Sequence, residues 1–368
     1  MFASFTSLFI QPANTWQNYH YFSGGCHKVL LYINCMMNKP SLKINIHEKV
    51  YLCRILPDKV AGQKRYESQK IFAKFDHTMN AIDPKDFEAL SPVFRGKTGQ
   101  WLAEFIMKIA SLDKVNYVYN HSIDYTGARF TEGLLNDFGV NYTIGNAENL
   151  SQLPEGAFIT ISNHPYGGLD GIILIDLLAR IRPDFRLMVN RILSLVKTMK
   201  DNFISVTPVG NKKNNITMAS LQGMRETLAH LHNGHPVGFF PSGAVSDFSL
   251  KEMRVRDRSW QKSILHLIRA VKVPVVPIRF FGRNSAFFYF LGLINWRVRS
   301  LRLPHEVFNK SEQKIRIGVG NIISVKEQEQ YADTESLGRF LRKAVYEMPE
   351  PSSFIPRTMM KFPEKKLA

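Results

Sequence analysis

Cysteine is scarce in this chain. Its 368 residues include only Cys26, Cys35 and Cys53. An odd number of cysteines without metal-ligand spacing or disulfide-scaffold density predicts a protein of the reducing cytoplasm. Long uncharged hydrophobic runs are also missing, because no charge-poor stretch reaches the roughly 18 residues that a spanning helix needs. The sequence therefore excludes a polytopic membrane protein, whereas a protein of the membrane surface stays open.

Acidic residues are the minority among the charged ones. The chain has 48 Lys and Arg against 31 Asp and Glu, a formal net charge of +17. Such an excess predicts an anionic partner: a membrane surface, a nucleic acid or an acidic protein. No zinc-finger spacing and no RNA-binding aromatic motif supports the nucleic-acid class. The hydrophobic fraction of 45% excludes a disordered chain.

The first 35 residues differ from the rest of the sequence. They contain Lys28 as their only Lys or Arg and no acid, and Met36 follows them directly. No basic region leads into an apolar run and a cleavage site, so a signal peptide is not predicted. We interpret residues 1–35 as a leader whose start is mis-assigned, and we expect a chain that begins at Met36 to be fully active and stable.

Changes in pattern divide the remaining chain. Residues 36–145 form a mainly helical N-terminal region, 146–330 the main domain, and 331–368 a C-terminal helix followed by a basic tail that we expect to be irregular from residue 349. Asp83-Pro84 predicts a helix start, and Gly139 is placed to end another helix. One apolar stripe at helical spacing comprises Trp101, Leu102, Phe105, Ile106 and Ile109.

Short apolar runs alternate with amphipathic helices after Gly145. The predicted strands are 157–162, 185–190, 203–209, 236–240, 273–280 and 314–323, and the predicted helices between them are 171–181, 218–231 and 260–271. This alternation predicts an α/β fold with a mostly parallel central sheet that is covered by helices. In such sheets ligands bind beyond the carboxyl ends of the strands.

One segment at such a strand end carries candidate chemistry. In Asn163-His164-Pro165-Tyr166-Gly167-Gly168-Leu169-Asp170-Gly171, the imidazole of His164 stands at the carboxyl edge of the sheet. A carboxylate from Asp170, six residues on, would set the histidine tautomer and support its protonated form. The alternatives are a helix N-cap for Asp170 and an ordinary turn histidine. A metal site is not predicted, because no further His or Cys cluster completes its ligands.

This segment resembles the His-and-Asp motif of the glycerophospholipid (lysophospholipid) acyltransferase family. Residues 240–246 and 273–278 resemble the family's third and fourth blocks, and the resemblance covers about 115–324. Five residues separate the His and the Asp, where most of the family has four. That spacing is similar to the hemolysin-like branch, which includes enzymes that O-acylate lyso-ornithine and lyso-glycine lipids. Residues 281–285, followed by Arg299 and Glu306, are similar to the branch's downstream pattern.

The resemblance implies an acyltransferase with His164 as general base. The base takes the proton of an acceptor hydroxyl that attacks an acyl thioester of acyl carrier protein or coenzyme A, while Asp170 orients the imidazole. No metal or redox cofactor enters this scheme. The developing oxyanion needs preorganised donors, and backbone N–H groups at the glycines are candidates. The implied substrate-binding residues are Asn163, Gly167, Gly168, Ser242, Gly243, Arg279 and Arg283.

Departures from the family pattern bear on the acceptor. Val206 stands where the family's second block has an Arg, and residues 242–245 read Ser-Gly-Ala-Val where the third has Glu-Gly-Thr-Arg. Valine cannot replace an arginine clamp on phosphate. We therefore expect a lyso-amino-acid lipid, as in glycine or ornithine lipid biosynthesis. A lysophosphatidate acyltransferase is the alternative, if Arg186, Arg191, Arg279 or Arg283 supplies the charge. A non-catalytic membrane-associated protein on this fold is the second alternative.

Residues 286–296 are aromatic, uncharged and too short to span a bilayer, and Arg297, Arg299 and Arg302 follow. This order favours a segment in the membrane interface, with a buried helix as the alternative. We expect a peripheral or monotopic protein on the cytoplasmic side of the inner membrane. Lys212-Lys213 and the run 254–258 are candidate contacts for the anionic leaflet or an acyl carrier protein, although charge runs are usually solvated faces.

Overall fold

A computed structural model describes residues 83–90, 92–109, 111–190, 193, 196–206, 218–311 and 313–360. The leader, the expected start at Met36, Arg191 and the Lys212-Lys213 pair lie outside these residues. No helix in the described part of the chain is long and apolar enough to cross a membrane.

Within the residues described from 83 onward, four helices precede the sheet. They are α1 (Pro84–Leu90), α2 (Gly96–Ile109), α3 (Leu112–Ser122) and α4 (Gly127–Asp137), with a 3₁₀ turn at Pro92–Phe94. The face that α2 buries differs from the predicted stripe. Ala103 and Met107 are buried, whereas Trp101 and Phe105 are exposed and stack on each other with ring centroids 5.6 Å apart. Gly139 has φ 66° just beyond α4, as expected for a residue that ends a helix.

An eight-stranded sheet forms the centre of the fold. Its strands are β1 (Tyr142–Gly145), β2 (Ile159–Ser162), β3 (Arg186–Asn190), β4 (Phe203–Val206), β5 (Val237–Phe239), β8 (Val275–Phe280), β9 (Ile315–Val319) and β10 (Phe354–Pro356). A separate hairpin consists of β6 (Asp247–Ser249) and β7 (Arg254–Arg256). The spatial order is β10-β1-β9-β8-β2-β5-β3-β4. Only the β10–β1 and β8–β9 pairs are antiparallel, so the predicted mostly parallel sheet is confirmed.

Helices cover both faces of this sheet. The helices of this part of the chain are α5 (Gly168–Ile181), α6 (Met218–His232), α7 (Lys262–Val271), α8 (Ala286–Ile294), α9 (Trp296–Phe308), α10 (Val325–Gln328) and α11 (Thr334–Tyr346). Adjacent residues of β8 point to opposite faces. Val276 belongs to the core shared with α4 and α5, and Val275 to the core shared with α7 and α11. The fold is therefore α/β with a core on each side of the sheet.

The expectation of an irregular tail from residue 349 is wrong for its described part. Residues of β10 pair antiparallel with β1, with Ile355 opposite Ile144. Arg357 follows in a 3₁₀ turn (Arg357–Met359) and is buried, with its guanidinium 3.4 Å from the Asp176 carboxylate of α5. This ion pair and the edge strand hold the segment on the sheet. The sheet thus takes strands from before residue 146 and after residue 330.

Candidate active site

The loop between β2 and α5 spans residues 163–167, and its shape depends on one glycine. Gly167 has φ 77° and ψ −130°, a conformation that L side chains rarely adopt. A Cβ there would also approach Leu303 of α9 to 2.9 Å. Gly168 is exposed and has open space around it, so nothing steric requires its glycine. The helix begins three residues earlier than predicted, which places Asp170 inside its first turn.

His164 and Asp170 form the predicted pair. The imidazole Nδ1 lies 2.9 Å from Asp170 Oδ2, and the same oxygen accepts hydrogen bonds from the Tyr166 and Gly167 amides at 2.8 and 3.0 Å. Asp170 is completely buried, whereas 16% of the His164 side chain is exposed. The carboxylate therefore caps the start of α5 from inside the helix and holds the histidine at the same time, so the capping and orienting roles coincide.

The surroundings of Asp170 determine what the histidine can do. Burial raises the pKa of Asp170 above its ordinary value, while the hydrogen bonds from His164 and the two backbone amides oppose that rise. An ionised carboxylate only accepts hydrogen bonds, so it selects the tautomer that carries its proton on Nδ1. The lone pair is then on Nε2. The arrangement can accept a proton at Nε2 and stabilise the resulting imidazolium.

Two neighbours set the orientation of the histidine loop. The imidazole stacks on the Phe240 ring, with centroids 3.9 Å apart and planes at 21°. Asn163 donates from Nδ2 to the Phe280 carbonyl at 2.9 Å and accepts from the Phe280 amide at 2.8 Å. This amide side chain continues the β2–β8 pairing beyond the strand ends. Asn163 thus holds the turn.

The candidate oxyanion donors differ in whether they already donate a hydrogen bond within the protein. The Gly167 amide donates to Asp170, and the Gly243 amide donates to the Phe240 carbonyl at 2.9 Å. Gly168 is the first residue of α5, and a first-turn N–H has no acceptor within its helix. The Ser242 hydroxyl donates to the Ala244 carbonyl at 2.7 Å. Of the three glycines, Gly168 is therefore the one whose N–H has no acceptor among the described residues.

A cleft of about 560 Å³ lies beside the histidine loop. Asn163, Pro165 and Ser246 contribute to its lining, together with four arginines, Arg254, Arg256, Arg279 and Arg283. The first two arginines pair with Glu252. Within the described ranges, no carboxylate forms an ion pair with either of the other two.

Arg279 has no carboxylate within ion-pair distance among the described residues, although Glu350 lines the same cleft. Its guanidinium donates to the Met348 carbonyl at 2.6 Å and lies over the Phe281 ring at 4.8 Å. Burial lowers the pKa of Arg279. A half-buried cation without a carboxylate partner favours an anionic ligand. The cleft therefore brings both predicted binding arginines to the side of the sheet where the histidine loop lies, although His164 itself does not line the cleft.

Asp257 is a site residue that the sequence reasoning missed. It lies in the run 254–258, which was interpreted as a candidate surface contact, yet only 3% of it is exposed. Its Oδ1 accepts hydrogen bonds from the His164 amide at 3.2 Å and the Ser246 hydroxyl at 2.6 Å. An acid between two arginines carries no pattern signal for burial, so only the structure reveals this contact.

The segment 286–296 forms α8 and the start of α9. Phe288 and Tyr289 are buried, which anchors α8 on the protein. A set of large apolar side chains on both helices is exposed, and we call it the α8–α9 apolar surface. It comprises Phe287, Phe290, Leu293, Ile294, Trp296, Val298 and Leu301. The alternative of a wholly buried helix is therefore wrong.

Comparisons with known proteins give the family. The sequence profile of the acyltransferase family matches residues 88–352. A lyso-glycine lipid O-acyltransferase of Bacteroides thetaiotaomicron is 24% identical over 256 residues, 68% of this chain and 90% of that protein. A protein of the same name from Phocaeicola vulgatus is 23% identical over 274 residues, 72% and 94% of the two chains. The crystal structure of the 1-acyl-sn-glycerophosphate acyltransferase PlsC from Thermotoga maritima aligns with a TM-score of 0.39 at 14% identity, over 67% of this chain and 86% of that one.

Proposed function

Because the chain belongs to the acyltransferase family, we propose that it transfers a fatty acyl group from an acyl thioester to the hydroxyl of a lyso-lipid. The observation that carries this proposal is the 2.9 Å contact between His164 Nδ1 and the buried Asp170 carboxylate. It leaves Nε2 free to act as a base at the carboxyl edge of the sheet. The lysophospholipid acyltransferases that the sequence resembles use the same residue types.

The proposed reaction is an acyl transfer with His164 as the general base. Nε2 of His164 takes the proton of the acceptor hydroxyl as its oxygen attacks the thioester carbonyl, and Asp170 stabilises the imidazolium without taking the proton itself. The Gly168 N–H at the start of α5 supports the negative charge on the carbonyl oxygen. Collapse of the tetrahedral intermediate forms the ester and expels the thiolate, which takes the proton from Nε2. No cofactor is required.

A lyso-amino-acid lipid is the acceptor that we favour. Both curated relatives are named lyso-glycine lipid O-acyltransferases. Neither Val206 nor residues 242–245 offer a cation for phosphate. Arg279 and Arg283 lack carboxylate partners among the described residues, and the carboxylate of an amino-acid headgroup is the planar anion that a guanidinium binds in a bidentate manner. These observations together support a glycine-type or ornithine-type headgroup over a phosphate monoester.

A lysophosphatidate acyltransferase remains the competing proposal, because the same two arginines can bind a phosphate. Purified protein in mixed micelles, with an acyl-carrier thioester and both acceptors competing, separates the two. We expect transfer to the lyso-glycine lipid to exceed transfer to lysophosphatidic acid by at least tenfold, about 1.4 kcal/mol of barrier. Equal or greater formation of phosphatidic acid would refute the acceptor proposal. The variant His164→Ala, which lacks the base, gives the background rate.

The variant Arg279→Gln tests whether Arg279 binds the headgroup of the acceptor lipid. It keeps a hydrogen-bond donor near the Met348 carbonyl but removes the charge. We expect it to raise KM for the amino-acid lipid more than it lowers kcat, because the headgroup contact is made in the ground state as well. An unchanged KM would exclude Arg279 from headgroup binding. Replacing the acyl-carrier thioester by the coenzyme A thioester in the same assay identifies the preferred donor.

The α8–α9 apolar surface supports a peripheral position on the cytoplasmic leaflet of the inner membrane. Exposed aromatic and aliphatic side chains next to arginines suit the headgroup region of an anionic bilayer. The double change Phe290→Ser and Leu293→Ser should weaken cosedimentation with phosphatidylglycerol vesicles at least fivefold. Tyr117→Ser on α3 is the matched control, because this aromatic residue is 73% exposed and lies outside that surface. Equal loss in the control, or no loss in the double variant, would contradict the assignment.

A further inference from the structure

Three hydrogen bonds join the peptide of His164 to a second buried acid. The His164 amide donates to Asp257 Oδ1 at 3.2 Å, and its carbonyl accepts from the Ser246 amide at 2.8 Å. The Ser246 hydroxyl donates to the same Asp257 oxygen at 2.6 Å. The exposed fractions of Ser246 and Asp257 are 2% and 3%. The three residues thus close a ring, although 93 positions separate His164 from Asp257 in the chain.

Two residues of α11 form hydrogen bonds with the backbone of Asp257. Its amide donates to the Tyr346 hydroxyl at 2.8 Å, and its carbonyl accepts from Arg342 Nη2 at 2.7 Å. The backbone of Asp257, directly after β7, is therefore tied to a helix that packs on the sheet. This anchoring gives His164 a fixed reference point outside its own loop.

The carboxylate of Asp257 lies in a confined, buried position. Its Oδ2 is buried and makes no hydrogen bond of ordinary geometry among the described residues, while burial and the neighbouring Asp257 charge raise the pKa of Tyr346 on α11. The His164 amide and the Ser246 hydroxyl both donate to Oδ1. An acceptor oxygen at this position is what these two donors need, so the contact itself links Asp257 to the backbone of the base.

We propose that Asp257 is a positioning residue for His164. Its carboxylate fixes the peptide of the base, and so keeps the imidazole between Asp170 and the acceptor hydroxyl. A misplacement of about 1 Å can cost roughly 100-fold in rate. The proposal rests on acyl transfer by His164, but it does not depend on which lyso-lipid is the acceptor.

Kinetics of four variants test this role. Asp257→Ala should lower kcat at least 30-fold and change KM less than twofold, because the substrate contacts stay in place. Asp257→Asn should restore kcat to within about fivefold of the parent protein, since its amide oxygen still accepts from both donors. Ser246→Ala alone should cost three- to tenfold. The double variant Ser246→Ala/Asp257→Ala should be no slower than Asp257→Ala, because the hydroxyl acts through the same oxygen.

A matched control separates positioning from stability. Asp176 on α5 is also buried, accepts from the Tyr142 hydroxyl at 2.7 Å, and has no contact with His164 among the described hydrogen bonds. Asp176→Asn should lower the unfolding temperature while kcat per folded molecule stays within twofold. A kcat loss in this control equal to that of Asp257→Ala would overturn the proposal, as would strictly additive losses in the double variant or an Asp257→Asn variant as slow as Asp257→Ala.

An NMR measurement tests whether Asp257 positions His164 without requiring acyl transfer. Long-range ¹H–¹⁵N NMR of the imidazoles, with the His164 signals assigned by their loss in His164→Ala, reports the proton on Nδ1 that faces Asp170. We expect that signature to be lost in Asp257→Ala and kept in Asp257→Asn. Its persistence in Asp257→Ala would refute the role of Asp257. If the parent protein acylates no lyso-lipid, the proposed function fails, while this measurement still decides whether Asp257 positions His164.

Discussion

The charge of Asp170 can be removed while its hydrogen bonds stay in place. The change is Asp170→Asn. The Tyr166 and Gly167 amides both donate to Oδ2, so they require an oxygen at that position. The new NH₂ group must then occupy the place of Oδ1, which has no hydrogen-bond partner among the described residues. The side-chain oxygen can therefore still accept from Nδ1 of His164, and the histidine keeps its tautomer.

The expected loss is then that of the charge alone. Two opposite charges about 4 Å apart at an effective dielectric constant near 20 attract by about 4 kcal/mol, and this attraction acts only once His164 is protonated in the transition state. A loss of that size corresponds to roughly a 1,000-fold fall in kcat. KM should change little, because the ground state holds a neutral imidazole.

Single-turnover acyl transfer at saturating lyso-lipid measures this effect, and thermal unfolding measures stability on the same sample. Asp170→Ala is the comparison, because it leaves the two amides and Nδ1 without an acceptor. Each lost acceptor costs about 1–3 kcal/mol of stability, so this variant should unfold at a distinctly lower temperature than Asp170→Asn. A kcat for Asp170→Asn within tenfold of the parent value would refute the electrostatic argument.

Three more outcomes follow from the packing. Gly282→Ala should destabilise the protein and slow transfer, because its Cβ would lie 1.6 Å from the Tyr166 hydroxyl oxygen and would displace the residue whose amide binds Asp170; circular dichroism melting and kcat measure both effects. Leu341→Ala should cost about 2–5 kcal/mol in urea unfolding, because this α11 side chain is completely buried. Burial lowers the pKa of His230 below its ordinary 6.5, although its hydrogen bond to the Asp184 carbonyl opposes this. Stability should therefore fall as the pH drops below about 6.5, and His230→Gln should reduce that fall in melts between pH 7.5 and 5.5.

Periodicity predicted the main domain because its elements are long and regular. β2 and β8 show as continuous apolar runs, as buried strands do, and α7 shows an apolar face at helical spacing. β10 has three residues, which is too short for any period, and its stability comes from pairing with β1 and from the buried Arg357. Burial of an arginine depends on a partner carboxylate elsewhere in the chain, which composition does not reveal.

The site was predictable where its residues are local in sequence. His164 and Asp170 share one strand-to-helix connection, so their spacing alone predicted the contact. Asp257 reaches the same histidine across 93 positions, and no local pattern predicts such a contact. The prediction of the buried face of α2 was wrong for a related reason. Amphipathic spacing predicts that one face is apolar, but not which surface that face contacts.

The cations that line the cleft bear on the choice of acceptor. The family blocks indicate which cations are missing, at Val206 and in residues 242–245, but they do not indicate what replaces them. The arginines that line the cleft come from two other places, the β6–β7 hairpin and the end of β8. Glu252 pairs with both hairpin arginines, whereas neither Arg279 nor Arg283 has an ion-pair partner among the described residues. A headgroup carboxylate bound there would lie beside Asn163, next to the base, so the headgroup contact and the reacting hydroxyl are held by the same strand ends.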